Sequence, residues 1–272
     1  MARVTRFAPS PTGPLHLGHA YAALLADARG DRFLLRIEDI DRQRCRLDFE
    51  TAIYHDLAWL GLTWETPVMR QSDRLATYDD AVAHLYSKGF AYHCTCTRAD
   101  ITTALSAPQD GAPTPGPDGP LYPGTCRDKN HPGGALRLNM RRAMAHLGPI
   151  RFDETGTRTG GHSYDAAQMT GQIGDVVLAR RDIGTSYHIA VVIDDAAQGI
   201  TEVTRGEDLF TATAIHVALQ RLLGLSTPTY HHHALIRDDQ GKRLAKRDDA
   251  RALAKFRAEG ATPADIRRMV GL

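Results

Sequence analysis

Phe7-Ala8-Pro9-Ser10-Pro11-Thr12-Gly13-Pro14-Leu15-His16-Leu17-Gly18-His19 is the stretch that decides the fold. It lies where a short β-run, Val4 to Phe7, gives way to a helical run from Ala20 to Ala28. Gly18 lets a bound nucleotide approach the backbone closely, and the start of the helix offers N–H groups and a positive dipole end to phosphates. His16 and His19 stand where they can donate hydrogen bonds to charge developing on a reacting phosphate. Alone, two histidines at a helix start read equally well as caps or surface residues. Their weight comes from a second stretch far along the chain, Arg243-Leu244-Ala245-Lys246-Arg247, set in a polar loop between Asp238-Asp239-Gln240-Gly241 and Asp248-Asp249. Only five of the 33 basic residues are lysines, and Lys242 and Lys246 fall here, where a compact ammonium can close a phosphate clamp. The pair reads as an ATP site for adenylyl transfer.

His16-Leu17-Gly18-His19 resembles the HIGH motif of class I aminoacyl-tRNA synthetases, and Arg243 to Arg247 resembles their KMSKS loop, with Ala245 where a serine is common. Arg6-Phe7-Ala8-Pro9-Ser10-Pro11-Thr12-Gly13 and Arg36-Ile37-Glu38-Asp39-Ile40-Asp41 are similar to the glutamyl branch. The likeness runs from about Arg3 to about Lys255. It implies an α/β, Rossmann-like nucleotide-binding fold with an inserted zinc-containing subdomain. It also implies ATP with Mg2+ as substrate, bound by His16, Gly18, His19, Arg243, Leu244 and Lys246, with His16, His19 and Lys246 catalytic.

Local patterns agree with such a fold. Arg3 to Phe7 and Arg32 to Ile37 read as buried parallel strands joined by a helix near Ala20 to Arg29. Leu47 to Leu60 and Thr77 to Lys88 have helical spacing, stopped by Gly61 and Gly89. From Tyr92 to about Arg180 the texture changes, and Ser106 to Pro120 is a Pro- and Gly-rich surface loop. Ile200 to Arg205 and Tyr230 to Ile236 read as strands, Asp208 to Leu223 as a helix, and two short helices follow at Ala250 to Glu259 and Pro263 to Val270. The expected organisation is a first catalytic half over 1–91, an inserted zinc-binding unit over 92–180 and a second catalytic half over 181–272. The active site should lie at the carboxyl ends of a parallel sheet. Only about 25 residues follow Arg247, so no anticodon-binding domain is expected.

The bulk numbers exclude other classes. A hydrophobic content of 42% and charged content of 24% are ordinary for a soluble globular chain. No apolar run approaches the ~20 residues of a membrane span, and Met1-Ala2-Arg3-Val4-Thr5-Arg6 lacks a signal-peptide core, which points to the cytoplasm. A net charge of +1 leaves room for a local basic patch but not for broad nucleic-acid binding.

Glutamate carries two carboxylates and one ammonium, so its pocket needs cationic or donor groups and an acid. The resemblance assigns this pocket to Arg6, Ala8, Ser10, Glu38, Tyr187 and Arg205, where arginine suits carboxylate by its planar fork. Read alone, Arg205 would be a surface ion pair with Glu202 or Glu207. Three of the four cysteines fall together, in Cys94-Thr95-Cys96 and Tyr122-Pro123-Gly124-Thr125-Cys126, a clustering that reads as metal before disulfide in a cytosolic protein. A tetrahedral zinc wants a fourth ligand. The resemblance supplies Tyr122, with His93 and His131 as alternatives. Cys45 reads as an isolated thiol. His231-His232-His233 should alternate faces along a strand, with one side buried at most.

The end of the chain soon after the KMSKS-like loop, the Cys-x-Cys and Tyr-x-x-x-Cys set and the glutamate pocket together resemble the truncated, glutamyl-queuosine tRNA(Asp) synthetase branch of the family. It implies ATP-dependent activation of L-glutamate without tRNA, then transfer to queuosine at the wobble position of tRNA(Asp), by a monomer engaging the anticodon stem-loop. The rivals are a minimal glutamyl-tRNA synthetase charging a tRNA 3′ end, a nucleotidylyltransferase for a small metabolite, and a non-catalytic RNA-binding paralogue.

Overall fold

The computed structural model describes residues 2–106, 115–117, 119–236 and 251–272. Arg243, Leu244 and Lys246 lie outside the described residues. The chain opens β1 (Val4–Phe7), α1 (Leu17–Arg29) and β2 (Arg32–Ile37), with β1 and β2 parallel, Val4 opposite Arg32 and Phe7 opposite Leu35. After α2 (Leu47–Trp59), a two-residue β3 (Met69–Arg70) pairs parallel with β2. Gly61 and Gly89 take φ of +82° and +73° just beyond α2 and α3 (Leu75–Ser87), the left-handed stop expected of them.

β4 (Ala91–Cys94) is followed by α4 (Arg98–Ser106), then by β5 (Pro115–Gly116) and β6 (Gly119–Pro120), which form a small antiparallel ribbon within the stretch expected to be loop. β7 (Ala135–Leu138) pairs antiparallel with β4. Next come α5 (Met140–Leu147), β8 (Ile150–Glu154), β9 (Gly160–Tyr164), α6 (Ala166–Gln168) running into a π-turn at Met169–Ile173, and β10 (Val177–Ala179), which completes a three-stranded sheet in the order β10-β7-β4. The last third holds α7 (Tyr187–Ala197), β11 (Glu202–Gly206), α8 (Ala212–Leu222), β12 (Thr229–His233), α9 (Leu253–Ala258) and α10 (Pro263–Val270).

Two differences from the sequence reading have physical causes. The last strand ends at His233 and does not reach Ile236, which packs with the cluster around α1. The catalytic sheet is also not wholly parallel: β12 pairs parallel with β11 and β8, but β9 turns back antiparallel on β8, giving the order β11-β12-β8-β9. β8 and β9 thus join the second-half strands although they lie within 92–180.

The two catalytic sheets meet at β1 and β11. Val4 N donates to Thr201 Oγ1 at 2.8 Å, and Thr201 N donates to Val4 O at 3.0 Å. Chain order reverses across this seam, which in open α/β sheets opens a ligand crevice at the strands' carboxyl ends. Apolar clusters cover both faces. Val4 and Leu34 face one cluster with α3, α5, α7 and α8, whereas Phe7, Phe33, Leu35 and Ile37 face another with α1, α2, α9 and α10. No described helix is long and apolar enough to cross a membrane.

Candidate active site

Strand alternation decides where the polar groups go. Arg6 shares the face of Val4, and Arg36 that of Leu34, so both guanidiniums are driven into the side covered by α7. There they meet Asp194 and Asp195. Arg6 donates to Asp195 at 2.9 and 3.3 Å and to Thr204 O at 3.1 Å. Arg36, fully buried, donates to Asp195 at 2.7 Å, to Gln198 at 2.8 Å and to Glu38 at 3.1 Å. Asp194 accepts from Gln71, Arg74 and Tyr78. Three arginines against Glu38, Asp194 and Asp195 leave the network neutral. Burial works to raise the Asp195 carboxyl, but the Arg6 and Arg36 charges outweigh it and hold the group below the usual carboxylate value. For Glu38 burial wins, and its value rises despite Arg36 and Arg6. Sequence reading missed Asp194 and Asp195; two adjacent acids after the apolar run Ile189 to Ile193 were the available signal.

A cavity of 990 Å³ lies at the carboxyl ends of β1 and β2. Ser10, Glu38 and Tyr187 line one part of its wall, and Cys96, Tyr122 and Arg137 another. Ala8, half-buried, precedes Ser10 on the loop after β1. Arg6 and Arg205 are not in the wall; each is almost fully buried behind it. The reading of Arg205 as a surface ion pair is corrected: Glu202 pairs with Arg29 and Arg3. Arg205 donates to His232 Nε2 at 3.1 Å, His216 Nδ1 at 2.9 Å, Leu209 O at 3.3 Å and Thr213 Oγ1 at 2.7 Å. Because a guanidinium only donates, both histidines must accept there. His232 therefore carries its proton on Nδ1, 2.5 Å from Glu154 Oε2, and burial with Arg205 pushes its value down to about 4.

The expectation for the histidine triplet also changes. Alternation along β12 holds, yet His232 and His233 are both buried, because Tyr21 of α1 packs edge-on against one and Phe210 against the other.

His16 caps α1 through a reciprocal pair: His16 Nδ1 accepts from Gly18 N at 3.1 Å, and His19 Nδ1 accepts from His16 N at 3.2 Å. The rings lie 3.8 Å apart. With both Nδ1 atoms accepting, the neutral rings carry their protons on Nε2, the form that donates to an oxyanion. The capping reading and the catalytic reading are thus one geometry. The chain past the Lys246 stretch returns to this corner, where Ala252 bridges to His16 and Leu253 N donates to Leu15 O at 2.8 Å.

The cysteines converge. Gly124, at φ +82°, turns the loop so that Tyr122 and Cys126 face the end of β4. The Tyr122 hydroxyl lies 3.3 Å from Cys94 Sγ and 3.5 Å from Cys96 Sγ, and Cys96 Sγ lies 3.5 Å from Cys126 Sγ. A tetrahedral ion with bonds of about 2.3 Å to sulfur separates its ligands by roughly 3.5–3.8 Å, so this donor set fits zinc. Burial opposes thiolate formation at Cys126, but donation from Tyr122 and from around Thr95 carries that thiol below its ordinary value. Among the described residues, Cys94, Cys96 and Cys126 form the cluster that could hold a metal ion. His93 packs on Tyr86 and His131 reaches Thr95, so neither joins it. Cys45 is half-buried in the cavity wall.

Comparison with known proteins agrees with this architecture. The family model for the catalytic domain of class I tRNA synthetases (E and Q) matches residues 3–272. The chain belongs to that family. It is 62% identical to the glutamyl-Q tRNA(Asp) synthetase of Rhodobacter capsulatus, over 99% of this chain and 100% of the relative. It is 42% identical to the same-named protein of Nocardia farcinica, over 96% and 81%. The solved glutamate-tRNA synthetase of Elizabethkingia anophelis superposes with a TM-score of 0.78 at 27% identity. All of this chain is covered, and it spans 61% of that enzyme. Within the class I synthetases, the chain groups with the glutamyl-Q tRNA(Asp) enzymes.

Proposed function

We propose that the protein activates glutamate with ATP, without tRNA, and transfers it to queuosine at the wobble position of tRNA(Asp). The observation that carries this reading is the single cavity that has Ser10, Glu38 and Tyr187 in its wall and the cysteine–tyrosine cluster at its edge. Such a cavity can hold an amino acid and admit a nucleoside from the other side. The name of a relative matched over its full length supports the acceptor.

In this scheme a glutamate α-carboxylate oxygen attacks the α-phosphorus, the bond to pyrophosphate breaks, and glutamyl-adenylate forms. His16 and His19 donate from Nε2 to the phosphate, Gly18 lets it approach, and Arg243, Leu244 and Lys246 close on the triphosphate, with Lys246 neutralising the leaving pyrophosphate. Mg2+ shares that charge when bound. Glu38 takes the substrate ammonium, while Arg6, Ala8, Ser10, Tyr187 and Arg205 shape the pocket. A hydroxyl of the acceptor then attacks the carbonyl and AMP leaves. We place the enzyme in the cytoplasm as a monomer, with the stretch 92–180 as the acceptor-side unit and the anticodon stem-loop of tRNA(Asp) as its partner.

Cys94, Cys96, Tyr122 and Cys126 would hold a structural zinc, since four protein ligands leave no position for substrate. Protein purified without chelator should contain about one zinc per chain. Cys94→Ser should abolish the metal and lower the melting temperature. Absence of metal from the parent protein would overturn the site, and metal content unchanged in Tyr122→Phe would remove only the fourth ligand.

The acceptor is tested with ATP, labelled glutamate and tRNA(Asp) with and without queuosine. Label should enter only the queuosine-containing tRNA and survive removal of the 3′ adenosine. Equal labelling, or label lost with that adenosine, would establish 3′-end charging instead.

A further inference from the structure

Charge is unevenly spread along the chain. Residues 81–99 carry Lys88 and Arg98 and no carboxylate. Residues 129–152 carry Lys129, Arg137, Arg141, Arg142 and Arg151, again with no carboxylate. The whole chain, by contrast, sets 32 acids against 33 bases. The fold brings the two acid-free stretches together, because β4 belongs to one and β7 and α5 to the other. β4 pairs antiparallel with β7, with Tyr92 opposite Arg137 and His93 opposite Leu136. Arg137 lines the cavity, so strand alternation puts His93 on the reverse face of that sheet.

On this reverse face the side chains form a continuous patch. Tyr86, 47% exposed at the end of α3, has its ring centroid 5.0 Å from that of His93. Gly89 then turns the chain, and the Arg142 guanidinium lies over it, where an added Cβ would meet Nη1 at 2.6 Å. The Phe90 ring lies 5.1 Å from that of His146, one turn beyond Arg142 on α5. Lys88 and Arg142 are exposed, and neither forms an ion pair among the described residues.

Helix chemistry accounts for only part of this. Lys88 follows α3, where a cation complements the negative end of the helix dipole. Arg141 and Arg142 stand in the first turn of α5, where the dipole end is positive, acids are favoured and none is present. Their placement works against the helix and strengthens the local positive potential. Cations without counter-ions beside an exposed aromatic ring suit a nucleic acid, whose phosphates meet the cations and whose bases or sugars pack on the ring. With a net charge of only +1, the chain as a whole does not draw in a polyanion, so a local surface must do it. We infer that the outer face of α3, β4 and α5 is a second contact surface for the acceptor tRNA. It holds phosphate backbone apart from the cavity that takes the acceptor base. This assignment rests on the tRNA-acceptor reading above.

The test measures transfer of labelled glutamate to queuosine-containing tRNA(Asp) by the full chain, by Lys88→Glu/Arg142→Glu and by Tyr86→Ala. The KM for tRNA should rise about tenfold or more on charge reversal, and about fivefold or more on loss of the ring. Glutamate-dependent pyrophosphate exchange without tRNA and the melting temperature should match the parent, because all three side chains are exposed. Lys88→Gln/Arg142→Gln should flatten the salt dependence of the tRNA KM by roughly one unit of log–log slope per cation removed. Arg268→Glu, at an exposed site on α10 outside the patch, is the control and should leave the tRNA KM near the parental value. A loss there as large as at Lys88 and Arg142 would overturn the surface and reduce the effect to net charge. An unchanged tRNA KM in the patch variants would overturn it as well and leave the patch to an acidic protein partner. If the parent labels no tRNA, the acceptor reading fails. Equilibrium binding of tRNA(Asp) to parent and variants then decides the surface on its own, and equal binding would sink it.

Discussion

Lys246→Ala should lower glutamate-dependent pyrophosphate exchange by roughly 100-fold or more, with the glutamate KM little changed. The expectation follows from what the other half of the clamp can supply. His16 and His19 are held by each other's cap geometry, so their Nε2–H groups are fixed, neutral donors. Neutral donors can stabilise charge on one phosphate but cannot offset the growing negative charge of a departing pyrophosphate. A lysine ammonium can, and charge aimed at the transition state is typically the larger contribution to rate. Its effect belongs in kcat, because the interaction strengthens as the bond to pyrophosphate breaks. Lys246→Arg keeps the charge on a planar, bulkier group and should recover only part of the rate. Near-parental exchange by Lys246→Ala would remove Lys246 from the chemistry and leave the two histidines to carry the step.

Local signals were the legible ones. The strand before His16, the helix after it and the glycine stops at Gly61 and Gly89 depend on neighbours in sequence, and each falls within a few residues of its expected place. Pro263–Val270 is matched residue for residue, because a Thr262 capping box and a proline in the first turn fix its start and Gly271 its end. The convergence of Cys94, Cys96 and Cys126 was legible for the same reason, since residue type and spacing alone suggested it.

What escaped depends on partners far apart in the chain. Read without the family resemblance, which set it in the pocket, Arg205 looked like a surface residue because Glu202 and Glu207 flank it, and only the fold brings in His216 and His232 to bury it. His232 and His233 looked half-exposed because strand alternation says nothing about whether both faces are covered.

Asp195→Asn should destabilise the protein by about 3–5 kcal/mol, the cost of removing one partner from a buried ion pair. Asparagine keeps the shape but not the charge, so Arg6 and Arg36 would share one anion fewer. Arg36 is 0% exposed and remains charged, and Arg6 is 5% exposed. Neither can reach water to recover the loss. The network would pass from neutral to one positive charge in a region sealed by α3 and α7. The exposed pair Arg32–Glu65, at 2.8 Å, is the internal control: Glu65→Gln should leave the melting temperature almost unmoved, because water screens it. The acid limb gives the sign independently. Asp195 is held below the ordinary carboxylate value, so its charge stabilises the fold above that value. That contribution is lost as pH falls through the depressed folded value. The parent should therefore lose stability in this acid window, and the variant, already lacking the charge, should show a shallower fall there. Denaturant melts of both proteins from neutral pH to about pH 3 measure both effects. A parental midpoint for Asp195→Asn at neutral pH would mean that the two arginines are compensated by Asp194 and Glu38 alone, and the network would then lose its centre.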